Sequence, residues 1–328
     1  MSKRREGFRA VEYIIFGAAT LAVMILCVCV GSVNVPLNQF AESAIIKTVR
    51  LPRVLCVALV GASLSVGGAA MQGLLKNPLA DGATLGVSGG ASLGAVLAMA
   101  FGVVIPGIPF AGSVVMSMLF AFVSLVIVLT LAYKLDYSLA TNTIILLGVI
   151  YSMFVSSITS LLVTFAGEKV RDIMFWTLGS LSGSTYRSAA MLAVALALFG
   201  GVLMSRSREL NAFAIGEDNA RHIGVNVRGV KLIVLVCVSA LIGVCVSIGG
   251  TIGFVGLVTP HMLRMIVGPN HKRLLPASVF GGASFLMLAD LLARTLLNPR
   301  ELPIGVVTSF VGALLFVWIF YTSRRTKR

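Results

Sequence analysis

The residues of this 328-residue chain whose chemistry could be catalytic or metal-binding are few: three histidines, five cysteines and one acid deep in an apolar run. His222, His261 and His271 have no ligand spacing, and the chain holds neither an HExxH zinc motif nor a GxSxG nucleophile turn. Cys27, Cys29, Cys56, Cys237 and Cys245 all sit inside apolar runs. The two-residue spacing of Cys27 and Cys29 points them to different helix faces, so all five read as small hydrophobes, with no metal site and no disulfide framework. Asp290 is the deeply placed acid. An acid within a membrane is a functional candidate by default, yet Arg294 stands one helical turn away, and a helix-packing pair is the preferred reading. A Walker A loop does not occur, so the chain cannot bind ATP in the P-loop manner. These residues make no catalytic constellation and call for no cofactor.

Chemistry by contact is better represented. The longest stretch between apolar runs, about 206–229, reads RSRELNAFAIGEDNARHIGVNVRG. An apolar short helix ends at Gly216, and a second turn follows through Glu217, Asp218, Ala220, Arg221 and Gly224. A solvated loop has no need of that apolar content, whereas a loop docked in a partner's groove does. Packing of the loop on its own chain is the alternative.

These residues must be positioned by membrane helices. Hydrophobic residues make up 58% of the chain and charged ones 12%, about half the charge of an ordinary soluble domain. The mean hydropathy is +1.00. Apolar runs of near-spanning length recur at 13–33, 54–74, 83–104, 111–133, 141–165, 189–205, 230–249, 252–267, 275–297 and 304–321. The sequence therefore predicts an all-α integral membrane protein of about ten transmembrane helices, forming one domain over 1–328. The eighth run is short and holds Pro260. With ten spans, 18 of the 26 Lys and Arg residues fall on one side, which predicts that both termini are cytoplasmic. The net charge of +14 lies in short segments between apolar runs, without an aromatic-interleaved stripe, so the partner is the lipid bilayer and not nucleic acid. Gly82, Gly86, Gly90 and Gly94 predict a small-residue packing ridge on the third span. Residues 58–78 and 240–260 share eight identities without a gap, among them Gly61/Gly243, Ser65/Ser247 and Pro78/Pro260. Because the first copy runs inward and the second outward, this reads as an inverted internal repeat, a common transporter architecture, with convergence of two Gly/Ala-rich helices as the alternative.

Five strings in order then resemble one family: RLPR at 50–53, GAAMQGLLKNPLADGATLGVSGGA at 68–91, GEDNARHIGV at 216–225, GFVGLVTPHMLR at 253–264, and LADLLAR with ELPIGVVTSFVGA at 288–313. The chain resembles the permease subunits of iron–siderophore, heme and vitamin B12 ABC importers (FecCD-type). The resemblance implies a ten-helix permease of the bacterial inner membrane. It also implies a second permease copy or paralogue, two ATP-binding cassette subunits, and an extracytoplasmic substrate-binding protein. It places ATPase docking on the loop around Gly216, Glu217, Ala220 and Gly224, and a cytoplasmic gate at Asn77, Leu79, Thr141 and Asn142. Arg50, Arg53 and Arg294 would receive acidic residues of the binding protein, with contact to lipid phosphate as the alternative. The expected cargo is an iron chelate, siderophore or heme, with vitamin B12 as the alternative. An ion-coupled secondary transporter shares the helices but would need a coupling-ion site. The path is expected to be mostly apolar, lined by residues such as Met153 and Phe154.

Overall fold

A computed structural model of the protein describes residues 7–33, 42–103, 105, 111–137 and 139–325. Fourteen helices carry nearly all of them. In chain order they are α1 (Ala10–Cys29), α2 (Leu51–Leu75), α3 (Val87–Phe101), α4 (Ala111–Leu135) and α5 (Thr141–Phe165). Then come α6 (Val170–Thr177), α7 (Tyr186–Ala195), α8 (Gly201–Ser205), α9 (Ser207–Phe213) and α10 (Glu217–His222). The last four are α11 (Val227–Gly249), α12 (Val255–Val267), α13 (His271–Thr295) and α14 (Ile304–Arg325). A π-helical turn, Leu196–Gly200, joins α7 to α8 without a break, and a second, Ile46–Arg50, leads into α2.

Seven of these stretches are long and apolar enough to cross a bilayer: α1, α2 with its lead-in, α4, α5, α7–α8, α11 and α13. Shorter apolar helices, α3, α12 and Ile304–Ile319 of α14, lie at the other three expected spans. The eighth span proves to be a half-length element. Its 13 helical residues cover about 20 Å, against about 30 Å of hydrocarbon. The cause is local: Gly250 and Phe254 take positive φ of 69° and 67°, which holds 250–254 out of helical form. Irregular backbone at such depth is tolerated where protein buries it or where it lines a cavity. Gly250–Phe254 lines a cavity of about 130 Å3 together with Asp81, Gly82 and Ser88. The sequence also missed α6, a short helix in what read as an outside loop.

Burial sorts the bundle. Most of the spanning windows of α2 and α11 are buried (78% and 72%), against 6% for α1 and 17% for α5. The core therefore forms around α2 and α11, while α1 and α5 face outward. Two glycine contacts let α2 sit so deep. A Cβ on Gly61 would lie 2.2 Å from the Gly282 carbonyl oxygen of α13, and one on Gly68 would lie 1.9 Å from that of Gly256 in α12. Backbones in contact maximise van der Waals packing where lipid offers no hydrophobic drive.

The expected glycine ridge is real only in part. Gly90 and Gly94 face α4, where a Cβ would strike Ser124 and the Met116 carbonyl. Gly86 instead caps α3 with φ +75°, and Gly82 precedes the helix against Ile242.

Candidate functional site

The residues singled out from the sequence gather at two ends, named inner and outer after the charge asymmetry. At the inner end α9 ends at Phe213, which is fully buried with Leu210. The chain turns at Gly216, whose φ of +122° and ψ of 149° belong to a region essentially reserved for glycine. α10 follows with Ala220 buried. The two isoleucines flanking α10 point away from the protein: Ile215 is 59% exposed and Ile223 63%. One face packs on its own chain, and the other presents apolar side chains. Asp218 and Arg221 form a loose exposed pair 3.8 Å apart, and Gly224 takes a positive φ of 88° after α10.

This segment touches both stretches expected to form the gate. Lys76 ends α2 in a left-handed conformation, and its Nζ lies 3.6 Å from where a Gly216 Cβ would stand. Asn77 follows, its Oδ1 accepting the Leu79 N–H at 2.9 Å. Leu79 and Asn142 are exposed. Thr141 opens α5 and donates from Oγ1 to Glu217 Oε1 at 3.1 Å. The other Glu217 oxygen accepts from Lys231 Nζ at 2.7 Å. Nothing in the sequence singles out Lys231 beyond its being a cation at the start of an apolar run.

At the outer end stand the three arginines expected to meet the binding protein. Arg50, Arg53 and Arg294 do gather there, but they are 4%, 7% and 2% exposed. Arg53 donates from Nε and Nη2 to Asp290 Oδ1 at 3.1 and 2.9 Å, and from Nη1 to Glu301 Oε2 at 2.8 Å. Arg294 Nε lies 2.9 Å from Asp290 Oδ2, the packing pair expected one turn apart. Its N–H is not aimed at that oxygen, so the contact is an ion pair without a formed hydrogen bond.

The physical reason for the burial is the end of α1. The last carbonyls of a helix lack partners. Arg294 Nη2 donates to the Cys27 carbonyl at 3.1 Å, and Arg50 Nη1 donates to those of Val28 and Cys29 at 3.0 Å each. Arg50 Nη2 also bonds the Val33 carbonyl. Cations at a helix C-terminus oppose its dipole as well. Glu301, in the loop before α14, went unnoticed from sequence. Burial raises its pKa, but the hydrogen bond and charge of Arg53, with a bond from Ser32, outweigh that and hold it below the ordinary 4.5.

Between the two ends, α5 leaves Met153 and Phe154 exposed. Its neighbouring face lines a groove of about 420 Å3 with Ser152, Ser156, Thr159 and Ser160, joined by Ser92, Thr177 and Thr251. Ser152 and Thr159 donate their protons to the Gly148 and Val155 carbonyls, so they offer the groove oxygen lone pairs without fixed charge. Among the described residues no three His, Cys, Asp or Glu side chains gather as metal ligands. All five cysteines are free thiols, buried except Cys29.

Known proteins place this architecture. The chain is 42% identical to an uncharacterized ABC transporter permease protein, YvrB, of Bacillus subtilis, over 99% of this chain and 97% of that one. It is 37% identical to the cobalamin import system permease protein BtuC of Halobacterium salinarum, over 84% and 73% of the two chains. It is 36% identical to the hemin transport system permease protein HmuU of Yersinia pestis, over 85% and 84%. A solved structure described as an inward-facing metal-chelate type ABC transporter matches with a TM-score of 0.87 at 31% identity, covering 96% of this chain and all of that one. The FecCD transport family model matches residues 19–322. The chain thus belongs to the FecCD transport family, the multi-pass membrane permeases of ABC importers.

Proposed function

We propose that this chain forms the translocation path of an ATP-driven importer of an iron chelate, siderophore or heme, in the bacterial inner membrane. The observation that carries the reading is the inner-end segment, buried on one face through Phe213 and Ala220 and presenting Ile215 and Ile223 on the other. Exposed isoleucines flanking a short helix outside the membrane suit the groove of a soluble partner. Two ATP-binding subunits would dock there, on two copies of the permease. Gly216, Glu217, Asp218, Ala220, Arg221 and Gly224 build the docking segment, and Asn77, Leu79, Thr141 and Asn142 form the gate beside it. In this reading ten spans place both termini in the cytoplasm, and the inverted repeat relates two halves that rock about the path.

The outward-facing side of α5 would then meet the path and the second copy. A wall of hydroxyls and apolar side chains without charge holds its cargo weakly, which leaves selection to an extracytoplasmic binding protein. That protein would dock on the outer end, where a partner's carboxylate competes with Glu301, the exposed member of the network, for Arg53. Relatives named for cobalamin and for hemin keep vitamin B12 as the alternative cargo.

The test is reconstitution in proteoliposomes with the ATP-binding subunits and binding protein. Uptake of a ferric siderophore or hemin should require ATP. Uptake driven by an ion gradient without ATP would replace this reading with secondary transport, and ATP-dependent uptake of cobalamin alone would replace the cargo.

A further inference from the structure

We propose that Lys231 is a positioning residue that ties the docking segment to the gate, so that movement of α10 is carried to the start of α5 through the Lys231–Glu217–Thr141 chain. This deepens the docking and gate reading above and rests on it.

Lys231 lies in the second turn of α11 and is fully buried. An ammonium without water must find its charge and hydrogen-bond partners inside the protein. It finds them on two different elements, donating to Glu217 Oε2 of α10 at 2.7 Å and to the Leu139 carbonyl at 2.8 Å. Leu139 is itself constrained. It sits in the turn between α4 and α5 with φ of +53°, unusual for a branched side chain, and is almost wholly buried. Its N–H donates to the Asp136 carbonyl, and Asp136 Oδ2 accepts the N–H of Ala140, which immediately precedes α5.

Glu217 uses both oxygens, one for Lys231 and one for the Thr141 hydroxyl. The carboxylate therefore bridges α11 and α5 from its place on α10. Below the pair, Arg228 stacks over the rings of Tyr133 and Tyr137 at 4.8 and 5.0 Å, which fixes the start of α11 to the end of α4. Leu139 is thus held from α11 and Thr141 from α10.

A charge-assisted bond to a buried ammonium is short and strong, and separating the pair would leave Lys231 uncompensated. When α10 shifts, the cheaper response is for Leu139 and Thr141 to follow. Packed interfaces of this kind switch between discrete arrangements rather than deform smoothly, which makes the pair a coupling between two sites. A bond made only for stability would anchor α10 to one element; this one joins the docking helix to the first residue of α5.

The test uses the complete transporter in proteoliposomes, with a single cysteine at position 142 in a background lacking the five native cysteines. Thiol labelling at 142 is followed with and without ATP and vanadate, beside basal ATP hydrolysis, uptake and detergent stability. Lys231→Met should still assemble with the ATPase and hydrolyse ATP at the basal rate. Labelling at 142 should no longer respond to nucleotide, and uptake per ATP should fall about tenfold. Lys231→Arg should restore much of the response, which a loss of packing would not predict. If Lys231→Met does not assemble, Thr141→Val cuts the link at its other end while leaving the buried charge paired, and should show the same lost response. A Lys231→Met or Thr141→Val transporter whose position 142 responds like its parent overturns the link alone. A parent that imports in an ATP-dependent manner but shows no nucleotide response at 142 overturns the gate and this link with it.

Discussion

Asp290 offers the sharpest test of what holds the outer end together. Its carboxylate is 1% exposed and lies 2.9 Å from nitrogens of both Arg53 and Arg294. Asp290→Asn keeps the shape and removes the charge, leaving two buried guanidiniums with less compensation. Breaking a buried pair by neutralising one partner costs about 3–5 kcal/mol. Arg53 retains Glu301, and Arg294 retains the Cys27 carbonyl, which points to the lower end, about 3 kcal/mol. Glu301→Gln removes a bridge of nearly the same length, 2.8 Å, but its side chain is 35% exposed and water can replace the lost contact. Exposed pairs are worth about 0–1 kcal/mol. The two substitutions should therefore differ by about 2 kcal/mol, a factor of roughly 30 in the folded-to-unfolded ratio. Unfolding of the purified permease titrated with sodium dodecyl sulfate, followed by Trp fluorescence, measures both. Equal shifts for the two variants would refute the idea that burial, and not bridge length, sets the worth of these pairs.

Other outcomes follow from the same geometry. Gly216→Trp, forced into a backbone region that admits only glycine, should insert normally yet lose chelate-stimulated ATPase activity and uptake; normal values of both would end the docking role of this segment. Single cysteines at Thr141 or Asn142 should cross-link between two copies when the path is closed inward, and failure under every nucleotide condition would remove both the gate and the dimer axis. Glu301→Gln frees Arg53 and should speed association with an acidic binding protein at low salt by stopped-flow fluorescence, an unchanged rate showing that Arg53 takes no part in docking. Because the Glu301 pKa is lowered on folding, its small contribution is fully present above about 4.5 and vanishes as pH falls through the lowered value. The stability gap between wild type and Glu301→Gln should close as pH falls below about 4.5 and through the lowered value, and a gap that widened there would reverse the sign. Gly68→Leu, aimed at the Gly256 carbonyl 1.9 Å from its Cβ, should abolish folding, whereas Gly183→Leu, with open space around it, should be tolerated.

By itself the sequence determined the class of the protein. Twenty-residue apolar runs and sparse charge admit a helical bundle in a bilayer and little else, because helices satisfy their own backbone bonds in lipid. It also singled out an apolar loop and a lone intramembrane acid, because both stand out against so uniform a background. Asp290 was paired with Arg294 correctly, because helical spacing alone brings residues one turn apart together. The sequence could not show that Arg50 and Arg53 turn inward. Their acceptors are the carbonyl groups at the end of α1 and carboxylates some 240 positions along the chain, and no local pattern encodes a distant helix end. Lys231 was hidden for the same reason: its partners lie on α10 and on the turn before α5. Spacing along one helix is fixed by 1.5 Å of rise per residue, so pairs within an element can be read from the chain. Which elements lie side by side depends on how the bundle packs, and only the tertiary structure decides where a buried charge finds its partner.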